Sequence, residues 1–100
     1  MKPFFVKLVP PRPDFAETMT ADERAVMVGH QAYWRGLLAK GWVVAYGPVT
    51  HPEGGFGIGI WTLPDDADAN AISAQDPAIL SGRGFRYEIA PMRALVTREG

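Results

Sequence analysis

The sequence contains no cysteine. Disulfide bonds are therefore excluded, as are metal sites built on thiolates and catalysis by a thiol nucleophile. Histidine is scarce as well. His30 and His51 are the two present, too scattered to form a metal site, and no metal is expected. Neither sign of charge predominates. Ten Lys and Arg against eleven Asp and Glu leave a net charge of −1, so nothing draws the chain to nucleic acid or to an anionic membrane surface. Long apolar runs are missing too. The run over residues 4–9 is interrupted by Lys7 and closed by Pro10 and Pro11. It is too short for a signal sequence or a membrane span, and the cytoplasm is the default compartment. The G-x-G spacing within residues 55–59 is followed neither by the third glycine of a dinucleotide fingerprint nor directly by a helix. With no other cofactor fingerprint in the chain, no cofactor is expected.

What is present is an ordinary globular composition. One hundred residues, 47% of them apolar, suffice for one domain over residues 1–100 with a single modest core. The most strongly patterned stretch is residues 19–41, MTADERAVMVGHQAYWRGLLAKG. Thr20 and Glu23 have the spacing of a capping box, Asp22 and Glu23 put negative charge in the first turn, and Gly41 follows Lys40 as a stop. At about 100° per residue, Val26, Met27, His30, Tyr33, Trp34, Leu37 and Leu38 share one side of this helix, and Arg24, Val28, Gln31 and Arg35 the other. His30 falls in the middle of the apolar stripe. There it is either a core histidine bonded to a carbonyl or a strand side chain, or a general acid or base tuned by its surroundings.

Around that helix the remaining elements follow from composition and alternation. Residues 2–9 read as a strand with Phe4, Val6 and Leu8 on one face and Phe5, Lys7 and Val9 on the other. Residues 10–18 read as a proline-stiffened loop in which Phe15 plugs an edge of the core. Arg12 on this loop is either a solvated charge or an anion contact at a pocket mouth. A second strand over residues 42–49 points Trp42, Val44 and Tyr46 one way and Val43, Ala45 and Gly47 the other, and Gly47-Pro48 ends it. Residues 50–55 form a turn with His51 exposed, and residues 55–63 form a third strand, hairpinned to the second. Its glycines, Gly57 and Gly59, mark close approach of a helix or a ligand. Residues 64–75 read as a second helix opened by Pro64-Asp65-Asp66 and ended by Asp76-Pro77. Asp76 can then cap a short turn over residues 77–81. The last strand, residues 84–95, points Phe85, Tyr87 and Ile89 one way, and Pro91 marks an edge or a bend. Residues 97–100 are expected to fray.

The order β-α-β-β-α-β is the ferredoxin-like, split β-α-β pattern of the α+β class: a four-stranded antiparallel sheet with two helices on one face. The first three strands are apolar on both faces, yet the helices cover only one. A symmetric homodimer packed sheet against sheet removes the exposed apolar face.

The strand followed by PPRPDF, the helix of residues 19–41, the VVAYGPV strand and the ending QDPAILSGRGFRYEIAPM resemble the YCII-related (YciI-like) proteins over essentially the whole chain. His30, Gly47-Pro48 and Asp76-Pro77 are the most specific elements of the likeness. The resemblance implies a dimeric α+β barrel and a histidine–aspartate pair in a pocket, which corresponds here to His30 and Asp76. Relatives on that fold include lactone isomerases, dehydrochlorinases of aromatic compounds and small monooxygenases, a likeness of fold rather than of site.

If His30 and Asp76 meet, the carboxylate fixes the imidazole tautomer and raises the basicity of the free nitrogen. Trp34, Tyr46, Phe56 and Phe85 can then wall a small-molecule site, with Gly47 and Pro48 beside it and Arg12 as an anion contact. The expected function is metal-free lyase or isomerase chemistry by proton transfer on a small aromatic or lactone-like molecule. The alternatives are a non-catalytic, ligand-binding dimer module, or a pair that only knits the first helix to the end of the second.

Overall fold

The computed structural model describes residues 1–99; Gly100, the end of the tail expected to fray, lies outside them. The elements are β1 (Lys2–Val9), α1 (Phe15–Thr18), α2 (Ala21–Ala39), β2 (Val43–Val49), β3 (Phe56–Leu63), α3 (Ala69–Ala74), α4 (Pro77–Leu80) and β4 (Arg86–Pro91). The capping box of α2 forms as its spacing predicts. The Thr20 hydroxyl accepts from the Glu23 N–H at 3.2 Å, and the Glu23 carboxylate accepts from the Thr20 N–H at 2.8 Å. At the other end Gly41 takes a φ of 79°. The Gly41 N–H reaches the Leu38 carbonyl and the Trp42 N–H the Leu37 carbonyl, both at 3.0 Å, so a Schellman turn closes the helix.

Among the described residues the sheet has four strands in the order β2-β3-β1-β4, and every neighbouring pair is antiparallel. This is the ferredoxin-like order. Each of the two crossovers skips one strand position, which places β1 and β3 in the centre. β4 is an edge strand, where Pro91 withholds no needed donor. The helix-covered face is built from Val6, Trp61 and Leu63 of the central strands, with Trp34 and Leu37 of α2 packed on them, and from Leu8, which packs in a second cluster. Each such side chain contributes roughly 1.5–3 kcal/mol when fully buried.

Several expectations need correction. The stretch 10–18 is not all loop: α1 forms there and buries Phe15 against Leu8, Ala78 and Phe85. The alternation expected for β2 fails at a register shift between Val43 and Ala45. A bulge of this kind turns the strand by one residue, so Val43 and Tyr46 both face the core while Val44 is 44% exposed. The helix expected over residues 64–75 starts only at Ala69. Pro64 opens a turn closed by the Ala67 N–H at 2.9 Å, and the Asp68 carboxylate caps α3 by accepting from the Asn70 N–H at 2.9 Å. The last strand is shorter than residues 84–95, because its pairing with β1 spans only Val9↔Arg86 to Phe4↔Pro91.

Of the two glycines in β3, it is Gly59 that receives the helix. A Cβ there would overlap the six-membered ring of Trp34, whereas one on Gly57 would meet Leu8 at an ordinary 3.9 Å. The outer face of the sheet carries Phe5, Lys7, Val9, Phe56, Ile58 and Ile60 from the central strands. Phe5 is 38% exposed, and the Lys7 ammonium lies 4.2 Å from the Phe56 ring centroid.

Candidate functional site

His30 and Asp76 meet. The Asp76 carboxylate has no solvent exposure and His30 is 7% exposed, with 2.7 Å between His30 Nδ1 and Asp76 Oδ2. Local sequence explains why Asp76 can be aimed. Preceding a proline, it takes the extended conformation, φ −62° and ψ 129°, that suits an N-cap. Its Oδ1 accepts from the Ala78 N–H at 2.9 Å, as the expected cap does. That leaves Oδ2 free to turn towards α2.

Oδ2 gathers three donors from two other elements. Besides His30 Nδ1, the Trp34 indole N–H reaches it at 3.1 Å, and the Tyr87 hydroxyl donates to it in a short hydrogen bond. The Trp34 N–H is shared with the Tyr87 hydroxyl oxygen at 2.8 Å. Burial alone pushes the Asp76 carboxyl up. The hydrogen bonds from His30, Tyr87 and the Ala78 N–H outweigh it and hold the group below the usual carboxylate range. An ionised carboxylate can only accept, so Nδ1 of His30 carries the proton. Burial, and then the bond to Asp76, pushes the Tyr87 phenol well above its ordinary value. Tyr33 is also raised, by burial first and then by the Asp76 charge; its hydroxyl donates to the Ile72 carbonyl at 2.6 Å.

The His30 ring forms part of the wall of a cavity of about 550 Å³ between α2, the N-terminal loop and the β2–β3 hairpin. Its Nε2 has no hydrogen-bond partner among the described residues. Trp34, Tyr46, Gly47, Pro48, Phe56 and Phe85 also line this cavity, so the structure brings these expected residues together, although the Phe56 ring lies against Lys7. Asp76 is not at the wall but directly behind His30. Arg12 is elsewhere. Its guanidinium donates to both Glu23 oxygens, at 2.7 and 2.8 Å, and to the Thr18 hydroxyl and carbonyl, each at 2.8 Å. Arg12 thus ties the proline loop to the first turn of α2, with its donors spent on the chain itself rather than at a pocket mouth. In return the Arg12 bond, reinforced by the Thr20 N–H, holds the Glu23 carboxyl down at about 2. His51 is exposed at the rim of the cavity, where its Nδ1 accepts from the Glu53 N–H at 3.1 Å.

Sequence reasoning missed Gly29, Tyr87 as a site residue, and the polar end of Trp34. The first had a signal: a glycine in mid-helix, beside the histidine. The other two had none, because both residue types read equally well as core.

Among the described residues no three His, Cys, Asp or Glu side chains cluster as a metal site, and no helix is long and apolar enough to cross a membrane. The residues define an α+β domain of ferredoxin-like order with a buried carboxylate–imidazole pair at a cavity wall. The model of the YCII-related domain matches residues 4–93, and the chain belongs to that family. No curated protein matches the sequence. Among solved structures, a formyltetrahydrofolate deformylase from Pseudomonas putida is similar to it at 16% identity and a TM-score of 0.44, over 90% of this chain and 28% of that one. The chain therefore spans little more than a quarter of that protein, and a likeness this distant carries no functional argument.

Proposed function

We propose that the cavity binds a small, largely apolar molecule, aromatic or lactone-like, and that His30 moves a proton on it. One observation carries this reading: Nδ1 of His30 is bonded to the buried Asp76, while the same ring is part of the cavity wall. With Nδ1–H held by the carboxylate, the lone pair of Nε2 is the base. It takes a proton from a carbon or hydroxyl of the ligand and forms an imidazolium, which Asp76 stabilises. The proton then returns at a neighbouring atom, which is isomerisation, or the ligand expels a leaving group, which is a lyase step. Trp34, Tyr46 and Phe85 supply apolar and aromatic walls that exclude water and orient a flat ligand. The proposal includes a homodimer joined through the outer sheet face.

A thermal-shift screen of small aromatic and lactone compounds, run on the wild type and on His30→Gln, tests the reading. Compounds that raise the wild-type melting temperature are then assayed for turnover. Binding by both proteins with turnover by the wild type alone supports His30 as the base. Binding with no turnover by either protein supports the non-catalytic module instead.

A further inference from the structure

Tyr87 stands behind the pair and has no part in the proton-transfer scheme. It lies on β4, it is absent from the cavity wall, and its hydroxyl donates to the same carboxylate oxygen that receives His30 Nδ1. Trp34 crowds onto that oxygen as well. The negative charge of Asp76 is therefore divided among neutral donors before it acts on the imidazole: Tyr87 and Trp34 on Oδ2, and the Ala78 N–H on Oδ1.

We infer that Tyr87 is a positioning residue that limits how strongly Asp76 holds a proton on His30, and so keeps the ring neutral and available as a base. A carboxylate bonded to imidazole alone concentrates its charge there and favours imidazolium. An imidazolium has no lone pair to offer a ligand. Each neutral donor on Oδ2 draws charge away from His30, and a phenol is a stronger donor than an indole or a peptide N–H. The groups facing the carboxylate bear this out in kind. The titratable ones are His30 and Tyr33 from α2 and Tyr87 from β4; Tyr46 from β2 packs on Trp34, and on the cavity side of the His30 ring the wall also carries Asp14, Glu17, His51 and Glu53. Among the described residues no lysine or arginine bonds to this carboxylate. The hydroxyl also fixes the carboxylate plane, because one oxygen is held by α4 and the other by β4. His30 then has a single orientation in which its bond is made.

The inference rests on His30 being the group that meets the ligand, but it is read on the imidazole itself, without any ligand. The experiment is an NMR titration of the His30 ring in the full chain, with His51→Gln used to assign the two histidines. Tyr87→Phe removes the hydroxyl alone and is expected to move the His30 midpoint upward. Replacing Tyr87 by 3-fluorotyrosine, a more acidic phenol and stronger donor, is expected to move it downward, and this variant keeps the test alive should Tyr87→Phe fold poorly. A merely structural tyrosine would lower the melting temperature of Tyr87→Phe and leave both midpoints unmoved, which overturns the inference. Asp76→Asn separates the two levels. If it lowers the midpoint while the Tyr87 variants do nothing, the pair stands and the role of Tyr87 falls. If Asp76→Asn also does nothing, both fall.

Discussion

Pro77 packs against α2 at Gly29: a Cβ on Gly29 would lie 3.2 Å from the Pro77 Cβ and 3.4 Å from its Cγ. This contact sets the spacing between α2 and α4, and with it the reach from Asp76 to His30. A glycine in mid-helix costs about 1 kcal/mol relative to alanine, and the close approach of the proline ring is the reason for its presence here. Gly29→Val pushes the ring away. We expect it to cost about 1–3 kcal/mol by overpacking and to weaken the His30–Asp76 bond. Urea denaturation reads the first effect. Nitrogen-15 shifts of the His30 ring, which in the wild type should report a protonated Nδ1, read the second.

The two glycines of β3 should behave differently. Gly59→Ala drives a methyl into the Trp34 ring, and Trp34 is wedged against Trp61 and Tyr87 with ring centroids 5.5 and 6.3 Å away. A loss of about 1–3 kcal/mol is expected. Gly57→Ala meets only an ordinary contact and should be close to neutral. Equal losses at the two positions would show that Trp34 is not seated on Gly59.

The acid limb of the stability curve should carry the signature of Glu23. Its carboxyl is held at about 2 against an ordinary 4.5 by Arg12 and the Thr20 N–H. A group depressed on folding contributes stability that is complete above the unfolded value and is lost as pH falls through the folded one. The window is therefore pH 4.5 down to about 2. Glu23→Gln should lower the melting temperature at pH 7, and the difference from wild type should shrink across that window. A difference that stays constant with pH would mean that the Arg12 pair does not persist in solution.

The outer sheet face yields a further expectation. Phe5 pairs with Ile60 on one side and Ala90 on the other, which puts it near the middle of that face. The proposed homodimer predicts a dimer by sedimentation velocity at micromolar concentration, and a monomer for Phe5→Lys with its helical signal retained. A wild type that sediments as a monomer would remove the dimer from the proposal.

The parts of the fold legible in the sequence are those decided locally. The capping box at Thr20 and Glu23, the glycine stop at Gly41 and the proline step at Asp76 each fix a boundary within a few residues of chain, and each occurs where the pattern places it. The bulge in β2 was hidden, because it depends on how Val43 and Tyr46 meet the core and not on their neighbours in sequence. Pro64-Asp65-Asp66 suits a helix start and a turn equally, and the choice fell to Asp68, which caps α3 at Ala69. In the site, the meeting of His30 and Asp76 was anticipated by a buried position needing a partner and by a family resemblance. The role of Tyr87 was not, since a tyrosine on the inner face of a strand announces burial and says nothing of where its hydroxyl ends.

Asp76 has a consequence for how the protein assembles. Its carboxylate is bonded to α4 through one oxygen and to α2 and β4 through the other, across separations of 46 residues to His30 and 11 to Tyr87. No fragment that lacks either half of the chain can complete this junction, so the imidazole acquires its partner only when the second crossover has docked on the first. A molecule held at Nε2 therefore favours the fully docked state by mass action, and its occupancy should slow amide exchange in β4, a strand that does not line the cavity.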